Sequence, residues 1–152
     1  TFVDTLRLAK LKPAAMDVKP LALARAVNRR DAIIAHGESD SIELAIVVDT
    51  VPSLMRSIYL GTDTTPGQVA ARLTDELERT IDFYNGTHRT NPLSPKIPVY
   101  VTGEIGNYPT LVDSLISNLG YSVAQLDPPI KLPRDFPVSL FMVNIGLLLK
   151  KV

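Results

Sequence analysis

The sequence predicts an α/β domain, a mixed β-sheet flanked by helices with the middle order β-β-β-α-β-α-β. Three observations predict it. The apolar runs Ala32 to His36, Ile42 to Val48 and Leu54 to Leu60 follow one another closely, as an antiparallel meander does. A long helix comes next, with Val69, Leu73, Leu77, Ile81 and Tyr84 recurring every three or four residues. Beyond it, Ile97 to Val101 is short and wholly apolar, which suits a buried parallel strand reached by a helical crossover.

Taken in order, Phe2, Leu6, Leu8 and Ala9 predict a first helix that stops near Lys12-Pro13. Ala15 to Val18 reads as a weak strand. Pro20 suits the first turn of a second helix through Ala22, Leu23, Ala26 and Val27, which the polar cluster Asn28 to Asp31 ends. In the second strand of the meander, Ile42, Leu44, Ile46 and Val48 alternate with Glu43, Ala45 and Val47, so one face is expected in solvent. Asp49-Thr50-Val51-Pro52 supplies the next turn. In the third strand, Leu54, Arg56, Ile58 and Leu60 share one face, and Met55, Ser57 and Tyr59 share the other.

For the long helix, Thr65, Pro66 and Gln68 form a start signal, a capping box with proline in the first turn. Arg72, Asp75, Glu76, Glu78, Arg79 and Asp82 are assigned to a solvated face, and Asn85-Gly86 to its end. A polar loop, Thr87 to Pro95, leads to the strand at Ile97, and Thr102 to Asn107 turns the chain. Pro109 opens a helix carrying Leu111, Val112, Leu115, Ile116 and Leu119, ended by Gly120. Tyr121 to Leu126 reads as a last strand. Asp127 to Pro137, with four prolines, is an extended loop before an apolar helix from Val138.

Composition excludes several classes. Of 152 residues 45% are hydrophobic and 21% charged, enough to bury a core in one domain, or in one domain with part of a neighbour. Lys+Arg and Asp+Glu both number 16, so no basic excess points to nucleic acid or an anionic lipid surface. Without cysteine there are no disulfides or thiolate metal sites, and two histidines far apart make a zinc site improbable. The apolar run from Val138 to Leu149 falls short of the roughly 20 residues a bilayer span requires. The chain opens on Thr1 with no signal-peptide pattern, and it reads as a piece of a longer cytoplasmic protein.

The candidate site is the turn that joins the first two strands of the meander. Gly37, Ser39, Asp40 and Ser41 form a tight turn whose amides can face an anion, although an ordinary hairpin favours the same residues. In hairpins that serve ATP chemistry, a carboxylate near the end of the first strand positions Mg²⁺ or water. Here that place holds Ala35 and His36, and a lone histidine ending a strand is usually structural or at the surface. The second candidate is the turn Gly103-Glu104-Ile105, whose amides at a helix start can accept an anion but whose Glu104 repels one. No serine or cysteine nucleophile has its partners at credible spacing, so no catalytic residue is assigned.

The β-β-β-α-β-α-β order is that of the ribonuclease-H-like core, which is repeated in both halves of actin-like ATPases. Within that class, the stretches Leu8 to Ala26, Ala32 to Val47, Arg56 to Gly61, Val101 to Leu111 and Ile145 to Lys150 resemble, in order, the PilM-type proteins of type IV pilus assembly, relatives of the division protein FtsA. The resemblance implies a second-lobe fragment: 1–30 the tail of the first lobe, 31–137 the second lobe, and 138–152 a C-terminal helix packed on it. The family's hairpin aspartate falls on Ala35, while Gly37 matches and Ser41 keeps the hydroxyl of the usual threonine. The adenosine-side glycine pair becomes Gly103-Glu104, with Ile105 where a small residue is common.

By this resemblance the cofactor would be ATP with Mg²⁺, held weakly or not at all by this fragment through Gly37, Ser39, Asp40, Ser41, Gly103, Glu104 and Ile105. The function implied is a non-catalytic cytoplasmic scaffold of a type IV pilus or secretion assembly. Its implied partner is the cytoplasmic tail of a PilN-like inner-membrane protein, with no membrane span of its own and no nucleic acid, and homo-oligomers left open. The alternatives are an actin-like ATPase or nucleotide-gated switch, and a division or polymerising actin relative.

Overall fold

The strand from Ala32 to Gly37 (β1) stands at the centre of the sheet, and all six of its residues are buried. The computed structural model describes residues 1–151, with the backbone alone at Phe2, Leu111, Ser114 and Leu115; the apolar roles expected of Phe2, Leu111 and Leu115 lie outside the described side chains. On one side β1 pairs antiparallel with β2 (Ser41–Val48), which pairs antiparallel with β3 (Val51–Tyr59). On the other side it pairs parallel with β4 (Val99–Gly103), so the sheet order is β3-β2-β1-β4. Helix α1 (Phe2–Leu8) precedes the sheet, α2 (Lys19–Val27) leads into β1 and α3 (Pro66–Thr87) crosses from β3 to β4. A 3-10 turn (Glu104–Asn107), α4 (Pro109–Ser117) and α5 (Val138–Leu148) follow. The mixed α/β sheet flanked by helices is the expected class.

Each sheet face carries its own apolar core. Ile33, Ala35, Ile42, Leu44 and Ile46 point toward Val69, Leu73, Leu77, Ile81 and Tyr84 of α3 and toward Val112 and Ile116 of α4. The opposite face places Ala32, Ile34, Ala45, Val47 and Tyr100 against Leu23, Ala26 and Val27 of α2 and Met142 and Ile145 of α5. This corrects the expectation for β2. Its alternation is real, yet both faces are buried because α2 and α5 cover the side expected in solvent. β3 is an edge strand, and Leu54 and Ile58 pack inward while Met55 and Tyr59 stay exposed, as the face assignment requires.

Several other local expectations are corrected. Ala15 to Val18 forms no strand; the Met16 carbonyl accepts from Lys150 Nζ at 2.7 Å instead of from a neighbouring strand. The β2–β3 turn is the pair Asp49-Thr50, both with positive φ (51° and 69°), as a two-residue hairpin requires, so Val51 and Pro52 already belong to the strand. Helix α3 starts on its Thr65–Gln68 capping box but runs past Asn85-Gly86 to Thr87. Tyr121 to Leu126 contributes one bridge, Val123 beside Val99, held by Val99 N to Ser122 O and Ala124 N to Val99 O, at 3.0 and 2.8 Å.

The acidic face of α3 is not wholly solvated. Glu76 is buried, and its carboxylate meets Arg56 of β3 and Arg72 at 3.0 Å and Arg79 at 3.2 Å. Arg56 also donates to Thr80 Oγ1 at 3.0 Å. Arg56 thus fastens the edge strand to the helix, while Arg72 and Arg79 of the helix itself complete the pairing that burial of the Glu76 charge demands. Among the described residues no helix is long and apolar enough to cross a membrane.

Candidate functional site

Because β1 and β4 are parallel, their carboxyl ends emerge together, with Gly37 opposite Gly103. In open α/β sheets that end is where ligands bind. Both sequence-predicted turns therefore meet at one place. Gly103 has φ +83°, and a Cβ on it would lie 2.5 Å from Gly37 O, so the two chains approach as only glycine permits. Ile105, 2% exposed, fills the other side: a Cβ on Gly37 would lie 2.7 Å from its Cγ2. Ile105, where the resemblance expects a small residue, thus forms the floor of this approach.

The hairpin turn is closed by Glu38 N donating to Ser41 O at 2.9 Å. Ser39 and Asp40 are exposed at its tip, and the Ser41 hydroxyl donates to Asp40 Oδ1 at 2.9 Å. Thr64 Oγ1, just before α3, donates to Ser39 O at 2.7 Å and ties the turn to the helix start. Between them lies a cleft of about 300 Å³ lined by Glu38, Ser39, Glu104 and Ile105 and by Thr64, Pro66, Val69, Asn107 and Tyr108. A second recess, about 350 Å³, takes in Asp40 and Gly103 and shares Glu38, Ser39 and Glu104. Gly37 and Ser41 line neither cavity; they shape the turn behind it.

A set of residues to which the sequence assigned no joint role organises this end of the sheet. His36 is buried, 2% exposed, rather than at the surface. Its Nδ1 lies 2.8 Å from Thr102 Oγ1 and its Nε2 lies 2.9 Å from Glu38 Oε1. The other oxygen of Glu38 accepts from Lys19 Nζ at 2.8 Å. Burial alone would push the Glu38 carboxyl up, but the hydrogen bonds and charges of Lys19 and His36 outweigh it and hold the group below its ordinary range. Period-2 patterning was the available signal: His36 falls on the face opposite Ala35, toward Thr102 in the parallel neighbour. Lys19, nineteen residues away on α2, had none.

The residues present do not fit a Mg²⁺–triphosphate. Ala35, where the resemblance places an aspartate, is fully buried in the apolar core with Ile33. Among the described residues no three His, Asp or Glu side chains converge to hold a metal ion. Glu38, Asp40 and Glu104 line the cavities with negative charge, and the neighbouring Lys19 is engaged by Glu38. At the start of α3 Pro66 has no N–H, and the N–H groups of Thr65 and Gln68 serve the capping box. An incoming phosphate would meet carboxylates and few free donors.

No family model and no curated protein matches the chain. Solved structures do. The PilM–PilN type IV pilus biogenesis complex matches at 23% identity over 97% of this chain and 56% of that one, with a TM-score of 0.69. The ethanolamine utilization protein EutJ from Carboxydothermus hydrogenoformans matches at 14% identity over 97% and 59%, with a TM-score of 0.64. A filament of AlfA from a B. subtilis plasmid matches at 18% identity over 91% and 45%, with a TM-score of 0.61. The chain thus spans about half the length of each of these proteins, from 45% to 59%. All three are actin-like proteins, and this chain has the fold of an actin-like ATPase domain.

Proposed function

We infer that this chain is the second lobe of a PilM-like actin relative that works as a scaffold and not as an ATPase. The observation that carries the reading is the charge at the strand ends: Glu38, Asp40 and Glu104 line the recess there, and Ala35, where the resemblance places an aspartate, is buried in the core. The likeness to PilM in complex with PilN supports a place in a type IV pilus or related secretion assembly. In that role it is cytoplasmic and peripheral to the inner membrane, engaging the cytoplasmic tail of a PilN-like partner. Peptide recognition of this kind needs a groove and no catalytic group. Mixed with Mg-ATP, the protein is expected to release no phosphate above a buffer blank. Sustained turnover that disappears in Ser41→Ala would overturn the reading. Affinity capture from cells is expected to bring down a membrane-anchored component of the assembly; a division or filament protein instead would favour the polymerising relative.

A nucleotide-gated switch is the second reading. It is favoured by the glycine-lined approach of Gly37 to Gly103 and by the cleft that the two turns and α3 enclose. Such a switch would work by different nucleotide affinities in two lobe arrangements. Saturable Mg-ATP binding without turnover would select it.

A further inference from the structure

The cleft between the hairpin turn and the start of α3 has apolar walls and an acidic rim. Val69 and Ile105 are nearly fully buried beneath it, 3% and 2% exposed, while Pro66 and the half-exposed ring of Tyr108 form its sides. Its ionisable lining is Glu38 and Glu104, and the adjoining recess shares both and adds Asp40 and His36. His36 is hydrogen bonded to Thr102 and Glu38, and the nearby ammonium of Lys19 is taken by Glu38. Glu104 is exposed and, among the described residues, has neither a hydrogen bond nor an ion pair. Exposed apolar walls beside the unpaired Glu104 carboxylate complement a long side chain with an aliphatic stem and a cationic head. A guanidinium fits better than an ammonium, because its plane can stack on the Tyr108 ring while its fork meets a carboxylate.

We propose that this cleft docks an arginine side chain of a partner polypeptide, its stem against Pro66 and the Tyr108 ring and its guanidinium at Glu104. The proposal rests on the scaffold reading and deepens it. The space in which the actin fold would hold a nucleotide becomes a polypeptide subsite, and Glu104 is its specificity element.

The test is a titration of the ¹⁵N-labelled protein with acetyl-Leu-Arg-Leu-amide, with its glutamate counterpart acetyl-Leu-Glu-Leu-amide, and with Mg-ATP. The arginine peptide alone is expected to give saturable shifts at the amides of Ser39, Glu104, Ile105 and Tyr108. Glu104→Gln, an exposed change expected to leave the fold intact, should weaken that binding about threefold, in the range of a solvent-accessible ion pair. Raised salt should weaken it further. If the arginine peptide gives no saturable shifts, or the same shifts in Glu104→Gln with undiminished affinity, and Mg-ATP also leaves these amides unmoved, the proposal falls and the scaffold reading stands. If Mg-ATP saturates these amides, both fall.

Discussion

Glu38 sits between Lys19 and His36, and its negative charge is what the three groups share. Free in an unfolded chain its carboxyl has the ordinary value of 4.5, and in the fold it is lower. A depressed carboxylate stabilises the native state above its unfolded pKa and loses that contribution as pH falls through its folded value. Acidification from about pH 5 to about pH 3 should therefore cost stability through Glu38. Glu38→Gln should lower stability at neutral pH and flatten this acid limb, read as a smaller change in urea midpoint between those two pH values. Equal slopes in variant and parent would show that the network holds no charge. The sequence made Gly37 and Gly103 legible as turn residues, because glycine in such a turn has a local backbone reason. It concealed the Glu38 network, whose members come from α2, β1 and β4 and meet only in three dimensions.

Elements were most readable where their signals were local. The start of α3 is written in Thr65, Pro66 and Gln68, and the capping box forms as the spacing requires. Thr65→Ala should cost about 1 kcal/mol in chemical denaturation, and Thr65→Asn should recover most of it. An unchanged midpoint in the alanine variant would mean that the cap is dispensable. The effect also belongs to the site, because Thr64 one residue earlier holds Ser39 in place. Elements whose definition depends on a neighbour were read poorly. Tyr121 to Leu126 has strand-like residues but finds a single bridge position beside β4. Glu76 looked like one more charge on a wet face, and it is buried because Arg56 of the edge strand reaches across to it.

At the scale of the whole molecule, the sheet separates two cores, and the one under α2 and α5 supports the site from behind. Ser139 near the start of α5 donates to Gly103 O at 2.8 Å, so the position of that helix is felt at the strand ends. Met142, fully buried in the same helix, packs with Ile34, Tyr100 and Leu23. Met142→Ala should destabilise by about 2–5 kcal/mol, the range for emptying a buried side chain, and should broaden the amide signals of Gly103 and Glu104. A loss under about 1 kcal/mol would mean the core closes over the gap. By itself the sequence determined the α/β class, the meander, the crossover helix and the two glycine turns, since periodicity, capping and turn chemistry act over a few neighbouring residues. Only the tertiary structure decided that β2 is buried on both faces, that Glu76 is internal, and that Lys19, His36 and Glu38 join beside the cleft. Those outcomes depend on which distant elements are packed together, and burial and ion pairing between distant segments leave no periodic trace in the chain.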